Sequence, residues 1–174
     1  MSKEVPDATE PFDRSRSSEE IRRIILSYPD LIDRGDIAGV AQLLDGVKMC
    51  NSNGILAPEV AEDEMPTLRA DEVRGMYSGV IFYEDGLPHT KHAISNIDIW
   101  FTDNGRKARS RCFYTVLQGF DDFPLQVVIA GRYEDAFEFD GAAWRLRIRR
   151  EYADLVGDLS RHVKPEVLAL LQSH

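Results

Sequence analysis

Residues 92–119 read HAISNIDIWFTDNGRKARSRCFYTVLQG, and the fold turns on how this stretch doubles back. Asn104-Gly105 is a strong two-residue hairpin signal, because both residue types accept the positive φ that tight β-turns demand. A turn there pairs Asp103 with Arg106, which sets Asp98 opposite Arg111 and Ile97 opposite Cys112. Strand alternation then puts His92, Ile94, Asn96 and Asp98 on one face, and Ala93, Ile97, Ile99 and Phe101 on the other. If the second face packs on the core, His92 points away from it unless a β-bulge intervenes. Any reading that brings His92 and Ile97 to one cavity therefore requires a bulge between them. A sheet covered on both faces, as in an oligomer, relaxes the requirement.

A second hairpin follows in LQVVIAGRYEDAFEFDGAAWRLRIRREY, turning near Asp140-Gly141. Tyr133, Phe137, Phe139, Trp144, Leu146 and Ile148 alternate with Arg132, Glu134, Glu138, Arg145, Arg147 and Arg149. The first set reads as a packed face, and the second as a solvated face with acids on one strand and arginines on its neighbour.

Upstream the character is helical. Residues 1–17 are charged and Ser/Pro-containing and read as a loose arm, leaving 18–174 as one domain. Ser17 or Ser18 can cap a helix whose apolar face carries Ile21, Ile24, Ile25 and Tyr28. Pro29 should kink or interrupt it, Gly35 should close it, and Asp36 can cap a second helix through Leu44. VKMCNSNGIL reads as a short strand and loop, and APEVAEDEMPTL as a surface connection. Val73, Met76, Tyr77 and Val80 have helical spacing, and PEVLALLQSH is a short amphipathic helix. Helices first and long antiparallel strands after them indicate an α+β fold, with helices on one face of a curved sheet and a pocket between.

The chain of 174 residues carries a net charge of −9, with 43% hydrophobic and 29% charged residues, and a pI near 4.9. That field repels phosphate backbones, and the one basic run, Arg145 to Arg150, is explained by the charged ladder, so no nucleic-acid partner is expected. Cys50 and Cys112 lack metal-ligand spacing and sit in apolar runs, as buried thiols of a reducing compartment do. No apolar run reaches a membrane span and the N-terminus is unlike a targeting peptide, so a cytoplasmic protein is expected.

His89 and His92 lie three apart in an extended segment, point to opposite faces, and have no HExxH or CxxC pattern beside them, so no metal is expected. An acid–base role suits His92 better, given a carboxylate behind the ring to fix its tautomer. The competing reading makes it a polar strand end. Tyr28, Tyr77, Tyr83 and Tyr114 flank the presumed pocket and could orient a carbonyl or hydroxyl, or be core tyrosines with satisfied hydroxyls. Asn51 could bind a ligand or end its strand.

The order of these elements, with IDRGD ending a helix, KHAISN opening a long strand, and GRY and WRLRIRR near the end, resembles the nuclear transport factor 2-like superfamily. Within it, residues from about Glu20 to Tyr152 are most similar to the SnoaL-like group that includes scytalone dehydratase and bile-acid dehydratase. The resemblance implies a cone-shaped, cystatin-like fold and a catalytic pair, carried over by position to Asp33 and His92. Ile32 stands where scytalone dehydratase has a tyrosine before the aspartate, so Tyr28, one helical turn back, is the candidate phenol. No second catalytic histidine is carried over, because the next strand offers Cys112 and Tyr114 instead. The resemblance thus implies a cofactor-free dehydratase of small hydroxy-ketones or polycyclic phenols, with Asp33 and His92 catalytic and Tyr28, Asn51, Tyr77 and Tyr114 at the substrate. A proton-shuttling isomerase, or an assembly module resembling a ring-hydroxylating dioxygenase small subunit, stands as the alternative. Family analogy and the exposed face carrying Trp100 favour a homo-oligomer, a trimer or dimer.

Overall fold

The computed structural model describes residues 12–52 and 60–172, with side chains left undescribed for 51–52 and 170–172. The elements are α1 (Arg14–Asp33), α2 (Ile37–Leu44), β1 (Lys48–Ser52), α3 (Ala70–Met76), β2 (Thr90–Thr102), β3 (Lys107–Phe120), β4 (Phe123–Phe139), β5 (Trp144–Val156) and α4 (Pro165–Gln172). The strands form one mixed sheet in the order β1-β5-β4-β3-β2. β1 runs parallel to β5 and every other pair is antiparallel. The architecture is α+β, as the order of elements in the sequence implies.

Helix α1 lays Ile21, Ile25, Tyr28 and Ile32 along one stripe against the sheet, the i, i+4, i+7 spacing of a packed helix face. It begins earlier than the serines suggest. Asp13 is the cap, accepting the Arg16 N–H at 3.0 Å, so residues 14–17 are helical rather than part of a loose arm, while 1–11 lie outside the described residues. The helix also runs through Pro29 without a break. Proline removes one backbone hydrogen bond, and here its ring is buried in the core. Gly35 (φ 69°) ends α1 and Asp36 caps α2, as read from the sequence. A Cβ on Gly35 would sit 2.3 Å from the Gly86 carbonyl oxygen, so only glycine lets this turn approach the loop leading into β2. Helix α3 stops at Met76, and a 3₁₀ turn over Tyr77–Gly79 replaces the continuous helix expected through Val80.

The β2–β3 hairpin keeps the expected register at its tip, with Asp98 opposite Arg111. Between Ser95 and Asp98 the register shifts, so Ile97 does not face Cys112. Asn96 has φ 51°, a left-handed conformation that asparagine tolerates better than most residues. This is the bulge that alternation required. It moves the sheltered positions from His92 and Ile94 to Ile97, Ile99 and Phe101.

A second shift, between Ala136 and Phe137, changes β5. Ala136 pairs with Ile148 but Phe137 pairs with Leu146, leaving Arg147 as the extra residue. Arg145 and Arg147 stay exposed, whereas Arg149, expected on the solvated ladder, is fully buried. It forms a two-pronged ion pair with the equally buried Asp135, at 2.9 and 2.7 Å. The outward side of the sheet exposes Trp100, Phe113 and Val127. No helix among the described residues is long and apolar enough to cross a membrane.

Candidate active site

Asp33 is the last residue of α1, and its carboxylate meets the start of β2 three times. Oδ1 accepts from His92 Nδ1 at 2.6 Å and from the Thr90 hydroxyl at 2.8 Å. Oδ2 accepts the His92 backbone N–H at 2.8 Å. Both side chains are only 7% exposed. Burial pushes the Asp33 carboxyl up, but the His92 and Thr90 hydrogen bonds outweigh it and hold the group below its ordinary value. A carboxylate only accepts, so the ring proton sits on Nδ1. The Nε2 lone pair is left with no hydrogen-bond partner among the described residues.

His92 lines a cavity of about 170 Å³ together with Tyr28 and Ile32 of α1, Tyr77 and Val80 beyond α3, Tyr114 of β3 and Glu151 of β5. Three of the four residues expected at the substrate therefore share one cavity with His92. Asn51 pairs through its backbone with Glu151, but its side chain lies outside the described residues. Tyr83 is elsewhere: its hydroxyl donates to the Arg161 carbonyl at 2.8 Å. His89 bonds to Asp85 at 2.8 Å and lines a different groove. Among the described residues no group of three or more His, Cys, Asp and Glu side chains is placed to hold a metal ion.

On the cavity wall a short relay runs from phenol to phenol to acid. The Tyr77 hydroxyl donates to the Tyr28 hydroxyl at 2.9 Å, and Tyr28 donates to Glu151 Oε2 at 3.1 Å. Burial, reinforced by the Glu151 charge, pushes the Tyr28 phenol well up, and burial raises Tyr77 too. Both stay protonated donors. Burial also raises the Glu151 carboxyl, against the pull of Arg149 and the Tyr28 hydrogen bond. Such a carboxyl holds a proton more readily than an exposed one. Tyr114 lies directly opposite Gly131, where a Cβ would come 2.8 Å from the phenol oxygen and 1.8 Å from the Tyr152 carbonyl. Glycine makes room for the ring, which stacks on Tyr133 at 4.5 Å.

The arginine that β5 turns inward supports this wall. Arg149 lies 4.4 Å from the centre of the Tyr28 ring and 4.5 Å from that of Tyr133. Cys112 is not among the residues lining the cavity, and burial first and Asp135 second push its thiol up to about 12.

Glu151 and His162 are the ionisable cavity residues that sequence reading missed. Strict alternation from Arg145 assigns Glu151 to the exposed arginine face, and the Arg147 bulge reverses that. His162 follows the last strand in a segment without periodicity. Its position depends on backbone pairing with 79–81, where Ile81 N–H donates to the His162 carbonyl at 2.9 Å.

The sequence profile of the SnoaL-like domain matches residues 13–150. No curated protein matches the sequence. Among solved structures, the chain is similar to a nuclear transport factor 2-like protein with a cystatin-like fold from Novosphingobium aromaticivorans, with 18% identity, TM-score 0.59, and coverage of 80% of this chain and 82% of that one. It is similar as well to a protein of that organism provisionally described as a scytalone dehydratase, with 18% identity, TM-score 0.57, and coverage of 87% and 93%. A third relative, provisionally described as the beta subunit of an aromatic-ring-hydroxylating dioxygenase, has 17% identity, TM-score 0.61, and coverage of 86% and 97%. At these identities the likeness extends to the cystatin-like fold and not to an activity. With the profile spanning most of its length, the chain belongs to the SnoaL-like family.

Proposed function

We propose that the protein is a cofactor-free hydro-lyase that removes water from a small hydroxy-ketone, with His92 as the acid–base group and Asp33 as its orienting carboxylate. The observation that carries this reading is the 2.6 Å Asp33–His92 contact at the wall of a cavity lined by both apolar and polar side chains. His92 Nε2 takes the proton alpha to the carbonyl, and the C–H electron pair becomes the new C=C bond. The C–O bond breaks, and the hydroxyl leaves as water with the proton that His92 accepted. Tyr114, whose phenol burial keeps protonated, is the donor for the carbonyl oxygen as negative charge develops on it, since the Tyr77 and Tyr28 hydrogens are given to Tyr28 and Glu151. Asp33 stabilises the imidazolium that forms in between.

Cavity size narrows the substrate. An apolar cavity of about 150 Å³ accommodates one benzene ring, so the volume here favours a single-ring or comparably small compound over a polycyclic phenol. An assembly module needs neither the buried His–Asp contact nor the cavity. The exposed Trp100 and Phe113 face supports self-association alongside catalysis.

The test is incubation with a panel of single-ring β-hydroxy-ketones in D₂O, following enone absorbance and deuterium at the alpha carbon. Water loss abolished by His92→Ala is the expected result. Deuterium exchange without water loss would favour the isomerase, and neither signal from any compound would overturn the enzyme reading.

A further inference from the structure

One histidine in the cavity has no part in the mechanism above. His162 lines the same space as His92, Tyr28 and Glu151. Its main chain is pinned in place: the His162 N–H donates to the Leu159 carbonyl at 2.9 Å, the Ile81 N–H donates to the His162 carbonyl at 2.9 Å, and Lys164 N–H donates to the Gly79 carbonyl at 2.9 Å. The backbone that carries the ring is therefore held by two segments.

Its two nitrogens differ. Nδ1 is buried and has no hydrogen-bond partner, while Nε2 has no protein partner among the described residues. Burial, and then the proximity of His92, push the ring down to about 4, so it is neutral at pH 7. A neutral imidazole carries one proton to place. A buried N–H without an acceptor is rarer than an unsatisfied acceptor, so the sealed Nδ1 keeps the lone pair and Nε2 carries the hydrogen. Unlike His92, His162 has no carboxylate hydrogen-bonded to its ring among the described residues. The contrast gives the cavity two imidazoles of opposite polarity. His92 presents a lone pair and His162 presents an N–H.

We infer that His162 is a substrate-contacting residue whose neutral Nε2–H donates a hydrogen bond to an oxygen of the bound compound. This rests on the reading of the cavity as a substrate site. It restricts the substrate class to compounds with two separated polar points, a hydrogen that His92 can accept and an oxygen that His162 can hold. A neutral donor suits a carbonyl or hydroxyl oxygen, and it does not give up its proton as an imidazolium would.

The test uses the full chain labelled with ¹⁵N-histidine, with 4-nitrophenol as probe. At pH 7 the ring nitrogens of His162 should report the neutral Nε2–H form, and the probe should shift His162 and His92 together. His162→Gln, whose amide nitrogen can occupy the Nε2 position, should keep affinity within about three-fold of the wild type, while His162→Leu should weaken it about ten-fold, the scale of one lost hydrogen bond. Equal weakening by both variants would overturn the inference, because a packing role does not distinguish amide from alkyl. So would probe binding that shifts His92 and leaves His162 unmoved, and this result would leave the His92 site standing. Absence of probe binding to the wild type would overturn the cavity as a binding site, and the inference with it.

Discussion

The molecule holds two sheltered acid–base pairs whose difference separates architecture from chemistry. Asp135 and Arg149 are fully buried, joined by two parallel hydrogen bonds, and Arg149 lies against the rings of both Tyr28 and Tyr133. Asp33 and His92 are nearly as sheltered but joined at one ring nitrogen, with the other nitrogen toward a cavity. Guanidinium does not give up its proton at any pH a protein survives, whereas imidazole changes state near neutrality. A guanidinium–carboxylate pair sealed on all sides holds shape. An imidazole braced by a carboxylate at one nitrogen, with the other toward a cavity, can accept a proton and hand it on.

Mutation tests that division. Asp135→Ala leaves the Arg149 charge buried alone and should cost about 3–5 kcal/mol of stability, read from urea unfolding. An unchanged midpoint would remove the architectural role assigned to that pair. His92→Ala should instead retain the fold by circular dichroism and lower turnover of a dehydrated substrate by about 10²–10⁴-fold. A loss of stability as large as that of Asp135→Ala would erase the comparison.

Acid should sharpen it. His162 is held near 4 in the fold against an unfolded value of 6.5, so the unfolded chain binds the extra proton first. Its contribution is whole above pH 6.5 and is lost as pH falls toward 4, by on the order of 2–3 kcal/mol. Asp33, held below 3.8, adds its loss only at lower pH. Glu151 acts the other way, since a raised carboxyl favours the fold as pH falls. His162→Leu should flatten the decline between pH 6.5 and 5 in urea midpoints. The smallest effect expected is that of Tyr77→Phe. It removes the outer donor of the phenol relay while Tyr28 still reaches Glu151, and should cost about 1 kcal/mol or less in kcat/KM.

The legible parts of this fold were those with a local chemical cause. Asn104-Gly105 sets the hairpin register by itself, and Asn96 is the residue type that a bulge accepts, so the inward turn of His92 could be demanded before it was seen. Asp36 and Gly35 punctuate the helices for equally local reasons. The β5 bulge has no such marker. WRLRIRRE alternates without a glycine or asparagine at the extra residue, and it is the pairing of Asp135 with Arg149 across the sheet that selects it. Glu151 becomes an interior residue only through that tertiary choice. His162 was illegible for a related reason: it is placed by backbone contacts with residues about eighty positions earlier, which no window of sequence contains.

β2 is an edge strand, bonded to the sheet on one side only, and Asp33 ties its first residues to the end of α1 across a separation of 59 residues. Edge elements open in local fluctuations that leave the rest of a domain intact. Each such opening parts His92 from its carboxylate while β3, β4, β5 and β1 stay paired. An activity that rests on the Asp33–His92 contact should consequently have its own melting point, below that of the fold, and gentle heating should silence it reversibly before any global unfolding begins.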